Sequence, residues 1–431
     1  MGAANCSTDP AALARYEVDS IRPGAVVRPG VAEEVAEIVR LAAVERLAVI
    51  PCGGRSKLGI GMPPSRYDLA VDVRRMNRVV AHDPGDLTLS VEAGIRISEL
   101  FDALAAHKQW LPMYVPWFDR ATIGGILSSN SISPLRYMFG GPRDFMLGME
   151  FVTGDGKLCK SGTRVVKSVA GYDLHKLLLG ALGTLGVITK VNFRTFPLPR
   201  AQRCFVAAYK DARSALDLCA RIARSALKPA LVEVLDPGAV RIVADESLPA
   251  NGWCVVAAAI GHEAVVERHA RELGQLAEQS GTFSFITLED ADKQRLLGRV
   301  REFLRLVSEQ QPDSVVLRTS VLPANAVSIC EAHAQIAAQN GLQCAMVLRA
   351  GATLYTVLSA ADADAPSRLQ KAALSISSGV AATIVEQCPT ALKSQIIVWG
   401  PAREDFAMMK RIKQVFDPHE ILSPGRFVGG L

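Results

Sequence analysis

The chain has 431 residues, 49% of them apolar and 21% charged, with a formal net charge of +5. That length exceeds what one hydrophobic core usually fills, about 250–300 residues, so two or three domains are expected. The apolar content excludes a disordered chain, and a mild charge without a basic block or tail excludes nucleic acid as the expected partner.

Residues 31–46 carry Val31, Val35, Ile38 and Val39 on one helical side, behind the Pro29-Gly30 stop, so the spacing predicts a helix. The apolar run Leu47-Ala48-Val49-Ile50 reads as a short buried strand ending in Pro51 and glycines. Residues 68–73 and 87–92 alternate like strands, and Ser98 is expected to cap a helix over ELFDALAAHKQ. Residues 145–153 read as a strand, Gly154-Asp155-Gly156 as a hairpin turn and 158–162 as the returning strand. A helix over 172–182 and a strand over 187–196 close the unit at Pro197-Leu198-Pro199. Beyond it, strands at 204–209, 230–235, 254–260, 315–318, 345–349 and 354–359 alternate with helices at 212–226, 263–279, 326–340 and 366–378. Two ferredoxin-like α+β layers accommodate them. A basic amphipathic helix over 405–416 is stopped by Asp417-Pro418.

The nine cysteines are scattered, with no CxxC pair, which fits a reducing compartment and excludes a local iron–sulfur ligand run. The first residues show no basic region followed by an apolar one, so no secretory leader is expected. Cys6 stands where the myristoylation pattern needs Ser or Thr, and no stretch of 18 apolar residues appears. The expected location is the cytoplasm.

Two glycine-rich segments carry the chemistry. The first is Gly53-Gly54-Arg55-Ser56-Lys57-Leu58-Gly59, directly after the predicted strand. Consecutive main-chain amides in such a loop form a concave anion site, and Arg55, Lys57 and the Ser56 hydroxyl could add to it. The loop matches neither GxGxxG nor GxxxxGK[ST], so alone it reads equally as a tight turn without ligand. The second runs from Thr122-Ile123-Gly124-Gly125 to Gly183-Thr184-Leu185-Gly186-Val187-Ile188.

Taken together, the order of PxGG(x)SxxG, a strand ending VEAG, TIGG, RDFMLG and GTLGVIT resembles the FAD-binding domain of the vanillyl-alcohol oxidase superfamily, the PCMH fold. The resemblance implies an α+β protein: an N-terminal segment 1–22, a PCMH-type two-subdomain FAD-binding domain 23–198, a ferredoxin-like α+β cap domain 199–390, and a C-terminal tail 391–431 returning to the FAD domain. It implies that the first loop takes the diphosphate by backbone donors, TIGG lies along the ribityl and ring side, and the last glycine segment packs by the adenine and ring edge. The cofactor-binding residues so implied are Gly53, Gly54, Arg55, Ser56, Lys57, Gly59, Thr122, Gly124, Gly125, Asn130, Arg143, Asp144, Gly183, Gly186 and Ile188.

Residues 164–174, RVVKSVAGYDL, further resemble the K-N-V-A-G-Y-D signature of the E-type FAD-binding subunit of glycolate oxidase (glycolate dehydrogenase), as do Val398-Trp399-Gly400-Pro401 and the ending from Phe416 to Gly430. That family implies a D-type catalytic flavin subunit and an iron–sulfur subunit as partners, a small 2-hydroxy acid such as glycolate as substrate, and peripheral contact with the inner membrane through the complex. Where the family has a small pair before a proline, this chain reads Ser131-Ile132-Ser133-Pro134. The first loop has no histidine for covalent attachment, so the resemblance implies non-covalent FAD.

The D-type relatives carry a histidine metal motif in the cap. Here the seven histidines, His82, His107, His175, His262, His269, His333 and His419, form no HxH or HxxEH pair and read as solvated or capping residues, so no metal is expected. The corresponding stretch reads Val385-Glu386-Gln387-Cys388-Pro389, and no general base stands out. Tyr172 and Lys167 read as helix-start and solvated residues, with Tyr172 over the flavin as the functional alternative. Trp110, Tyr114, Trp117 and Phe118 read as core or as a wall for the ring. Three functions stay open: the FAD subunit of a glycolate oxidase complex, inactive or weakly active alone; a self-sufficient flavin dehydrogenase for another hydroxy acid or an alcohol; and a cofactor-free scaffolding subunit.

Overall fold

The computed structural model describes residues 2–164, 171–349, 351–379, 381–401 and 404–431. Most of the segment that carries the glycolate-oxidase-like signature, residues 165–170 with Lys167, lies outside them.

The chain opens on a four-stranded sheet in the order Cys6–Ser7, Ala25–Val27, Leu69–Asp72, Val49–Cys52, the last three parallel. Parallel neighbours need a crossover, and the helix Ala32–Glu45 supplies it. Its Val35 and Val39 are fully buried, each such side chain contributing about 1.5–3 kcal/mol. An aspartate at Val39 would break that face. In parallel sheets ligands gather at the carboxyl ends of the strands, which here is the loop leaving Cys52.

A five-stranded antiparallel sheet follows in the order Val79–Asp83, Thr88–Glu92, Val187–Arg194, Met146–Val152, Leu158–Gly162. The expected hairpin at 154–156 is present, with Met146–Val152 paired to Leu158–Gly162. Two local expectations fail. The helix Ile97–Ala105 starts before Ser98, with Arg96 at its N-cap, because Ile97 N–H is already tied to Ala121 O at 2.9 Å and Glu99 accepts Arg96 N–H at 3.2 Å. The expected helix over 172–182 is only the short turn Leu174–Leu177, since Gly180 at φ 77° and Leu182 at φ 50° leave helical space.

The cap is one eight-stranded antiparallel sheet. Ala201–Tyr209, Ala212–Arg224, Leu231–Leu235, Trp253–Gly261, Glu263–Gln279 and Ser284–Leu288 make a strand–helix–strand–strand–helix–strand unit whose strands lie fourth, first, third, second. Val315–Ser320, Ala326–Gln339, Gln343–Arg349, Thr353–Ser359, Ala365–Ser377 and Thr383–Gln387 repeat it, lying second, third, first, fourth. The two ferredoxin-like units join edge to edge through Leu231–Leu235 and Gln343–Arg349. Both fourth strands, and the helices Pro237–Val243, Asp290–Arg301 and Phe303–Gln310, go unannounced by the sequence pattern.

The tail helix Phe406–Phe416 returns the chain to the first sheet, where Val49 donates to Ile421 O at 2.7 Å and accepts from Ser423 N at 2.8 Å. Lys413 fixes this return: its buried ammonium reaches Thr184 O (2.9 Å), Leu422 O (2.8 Å) and Asp417 (2.6 Å), which uses all three donors. Among the described residues no helix is long and apolar enough to cross a membrane.

Candidate functional site

The loop after Cys52 lies pressed on the TIGG segment. A Cβ on Gly54 would stand 1.8 Å from Arg120 O, and one on Gly53 2.1 Å from Thr122 Oγ1, so only glycine allows this approach. Thr122 caps the helix Ile123–Ser128, accepting from Gly125 N–H, and also accepts from Gly54 N–H, each at 3.4 Å. The amides of Arg55, Ser56 and Lys57 have no hydrogen-bond partner among the described residues. A main-chain donor left open must find water or a ligand.

Residues 55–57 lie in the wall of a hollow of about 80 Å³ that residues 51–58, Thr122, Gly124, Gly125, Ser128, Ser129, Leu182, Gly183, Gly186, Ile188 and Arg426 line. Most of the residues carried over from the resemblance therefore converge. Gly59 faces a neighbouring hollow with Trp117 and Glu386, and Asn130 lines a larger one toward the cap. Arg143 and Asp144 do not join them. Both are exposed on the short helix Pro142–Phe145, where Asp144 is used in accepting Gly141 N–H at 2.7 Å.

The loop's own cations are also engaged elsewhere. The Arg55 guanidinium lies over the Tyr16 ring at 4.5 Å and donates to Arg15 O at 3.3 Å. Lys57 turns into the cap and pairs with Glu386 at 2.9 Å. Burial works to raise the Glu386 carboxyl, but Lys57 and Arg318 outweigh it and hold it below its usual value. Cys52 lines the hollow as a neutral thiol, pushed up to about 12 by burial.

Between the FAD-binding side and the cap lies a hollow of about 1100 Å³, lined by Asn130, Ile132, Arg136, Arg318, His333 and Thr383, among others. Arg318 stands 3.5 Å from Glu386 Oε2. Behind it Arg349 and Glu233 pair at 2.7 Å with no side-chain exposure, and Arg349 also donates to Ile132 O and Val300 O. This fixes the cap strands against residue 132. His333 Nδ1 meets Thr356 Oγ1 at 2.8 Å, and burial lowers its pKa to about 4.

The histidine expectation needs correction, since His175, His269 and His333 are buried and hydrogen-bonded, while among the described residues His262 caps a helix. Among the described residues no group of three metal-ligating side chains occurs. Tyr172 is 88% exposed and lines neither hollow. The Arg301 guanidinium sits in the corner between the edge-on rings of Tyr114 and Phe118, at 4.6 and 4.3 Å, so the aromatic run packs against the cap. No local pattern singles out Arg318 or His333, and Arg426 stands out only as part of the PGRF ending.

The residues fit FAD. Open amides suit a diphosphate, and Gly53, Gly54, Gly124, Gly183 and Gly186 let the segments that line the hollow pack against one another and their neighbours where a Cβ would collide. The FAD binding domain model matches residues 23–162, and the model for the C-terminal domain of FAD linked oxidases matches residues 198–386 and 398–427, about half of the chain. Glycolate oxidase subunit GlcD of Bacillus subtilis is 24% identical over 416 residues, 94% of this chain and 88% of its own length. D-lactate dehydrogenase of Archaeoglobus fulgidus is 27% identical over 415 residues, 94% and 91%. Glycolate oxidase subunit GlcE of Escherichia coli is 36% identical, but over 166 residues, 38% of this chain and 47% of its own. Among solved structures, 4-ethylphenol oxidase from Gulosibacter chungangensis shares the fold at TM-score 0.78 and 16% identity, covering 99% of this chain and 94% of that one. With the glycine cradle at one end and the double ferredoxin-like cap at the other, each matched by its own flavoprotein model, the chain belongs to the FAD-linked oxidases and is an FAD-dependent oxidoreductase with a PCMH-type FAD-binding domain.

Proposed function

We propose that this chain is the FAD-bearing subunit of a glycolate oxidase complex, oxidising a 2-hydroxy acid to the 2-oxo acid and passing electrons onward. The observation that carries the substrate class is Arg318, a fixed cation on the wall of the large hollow beside the glycine loop's partner Glu386. A small hydroxy acid has one permanent charge, its carboxylate, and a guanidinium is the side chain best suited to hold it in a fixed orientation.

Bound FAD supplies the two-electron acceptor. The amides of 55–57 take its diphosphate, and Thr122, Gly124, Gly125, Gly183, Gly186 and Ile188 wall it without a covalent link. Arg318 anchors the acid. The hydroxyl proton needs an acceptor, and His333 is a lining side chain held in the neutral form.

A second reading is a self-sufficient dehydrogenase of D-lactate type. It is favoured by the near full-length likeness to GlcD and to D-lactate dehydrogenase, against the partial likeness to GlcE. Anaerobic mixing of the purified chain with glycolate, then with D-lactate, separates them. Bleaching of the flavin absorbance by the chain alone supports the second reading. Bleaching only with a D-type flavin subunit and an iron–sulfur subunit present supports the first. A colourless chain that takes up no flavin would defeat both and leave a scaffold.

A further inference from the structure

The C-terminal tail brings one more cation to the cofactor hollow. Arg426 lies in the turn after the segment that runs beside Val49, is 3% exposed, and lines the hollow with residues 51–58. Its Nη2 donates to Ile60 O at 2.8 Å and to Leu58 O. Its Nε has no partner, and among the described residues no carboxylate pairs with it. A buried charge without a counter-ion is costly and is normally paired or bound to something.

The carbonyls it holds matter as much as its charge. Leu58 and Ile60 point their oxygens to Arg426, and Gly59 points its oxygen to Lys393 at 2.5 Å. Lys393 is itself paired with Asp19 at 2.7 Å. Three successive carbonyls are thus each held by one of two cations, in the residues that follow the open amides of 55–57. Carbonyl oxygens near a diphosphate would repel it; here they are turned to cations instead.

We propose that Arg426 is the counter-charge for the diphosphate of the cofactor, so that the returning tail forms one wall of the FAD site. The cations local to the loop are occupied, Arg55 on Tyr16 and Lys57 on Glu386. Arg426 is a buried charged side chain lining the same hollow that has neither an acidic partner among the described residues nor a use for its Nε. Loss of the tail's docking then releases the cofactor, even with the glycine loop intact. This rests on the family's cofactor and not on the choice of substrate.

The test is binding of FAD, ADP and riboflavin to the apoprotein, by flavin fluorescence quenching and ADP competition. Arg426→Gln should weaken FAD and ADP about 10- to 100-fold, the range of one charge-assisted contact, and leave riboflavin, which lacks the diphosphate, unchanged. Adding salt should weaken ADP binding less in the variant than in the native chain. Equal losses for FAD and riboflavin, or unchanged ADP affinity, would overturn the proposal in favour of a structural role. Should Arg426→Gln not fold, Arg426→Lys decides: it keeps the charge, so ADP should bind within several-fold of native and weaken with added salt as the native chain does, and a loss of about 10- to 100-fold in this charge-keeping variant would sink the idea in favour of a structural role. A native chain that binds no FAD would instead indict the assignment of the cofactor.

Discussion

Lys57 and Glu386 meet at 2.9 Å across the seam between the glycine loop and the edge strand Thr383–Gln387, with side chains 9% and 5% exposed. The pair joins the cofactor loop to the cap through residues 329 positions apart. Breaking a buried pair strands one charge, at a cost of about 3–5 kcal/mol, whereas replacing both partners by apolar groups costs far less. Lys57→Met and Glu386→Gln should each lower stability by about 3 kcal/mol, and the double Lys57→Met, Glu386→Leu variant should lose less than the two single losses added, although Arg318 keeps it from being neutral by losing Glu386 as its neighbour. Urea unfolding of the four proteins checks this. The pH dependence has a definite sign: the folded Glu386 pKa is depressed, so its contribution is complete above the unfolded value of 4.5 and fades as pH falls through the folded pKa.

Not every glycine of the first loop does the same job. Gly54 has Arg120 O 1.8 Å from where a Cβ would stand, while a Cβ on Gly59 would meet nothing within 4 Å. Gly54→Ala must push the loop off the TIGG segment and spoil the open amides. Gly59→Ala has room. The ratio of flavin to protein absorbance in the purified variants should fall at least tenfold for Gly54→Ala and match the native chain for Gly59→Ala. Equal ratios would mean the close approach of the loop is not what holds the cofactor.

These two glycines also mark how far the sequence could be read. Glycines after a buried strand are a local signal, and the loop, TIGG and the 183–188 segment do converge on one hollow. The alternation of strands and helices beyond residue 200 was likewise enough to expect ferredoxin-like layers. The fourth strands, Ser284–Leu288 and Thr383–Gln387, lie at the two ends of the eight-stranded sheet and carry only partial burial, so their period-2 signal is faint. The charged partners were illegible for a different reason. Lys57 reads locally as an addition to the anion site because nothing nearby names Glu386, and Arg426 sits 368 positions from the Leu58 carbonyl it holds. Arg143 and Asp144 were assigned by motif alone, and an Asp committed to a helix N-terminus is a local alternative that the motif does not exclude.

His333 makes acid stability asymmetric. Burial lowers its pKa from 6.5 to about 4, so the unfolded chain binds more protons than the folded one between those values. Stability therefore rises with pH across that window, by up to about 3 kcal/mol from this residue. Below about pH 4 both states are protonated and the loss is complete. Subtracting the stability of His333→Gln from that of the native chain, by denaturant titration at pH 4, 5, 6 and 7, should give a difference that grows from pH 4 to 6.5 and then levels. A flat difference would show that the imidazole is not held neutral.

Arg318 separates holding the cofactor from holding the substrate. It lines the large hollow but not the glycine cradle, and its nearest acidic neighbour, Glu386, is already paired with Lys57. Arg318→Met should leave FAD content near native while raising the concentration of hydroxy acid needed for half-maximal flavin bleaching by about 10- to 100-fold, the worth of one charge-assisted hydrogen bond. Arg318→Lys should recover part of that loss, because the charge returns without the planar fork. The measurement belongs in whichever assembly, chain alone or with partner subunits, first gives bleaching. Unchanged half-saturation in Arg318→Met would move the carboxylate anchor elsewhere on the wall, with Arg136 the next guanidinium to test.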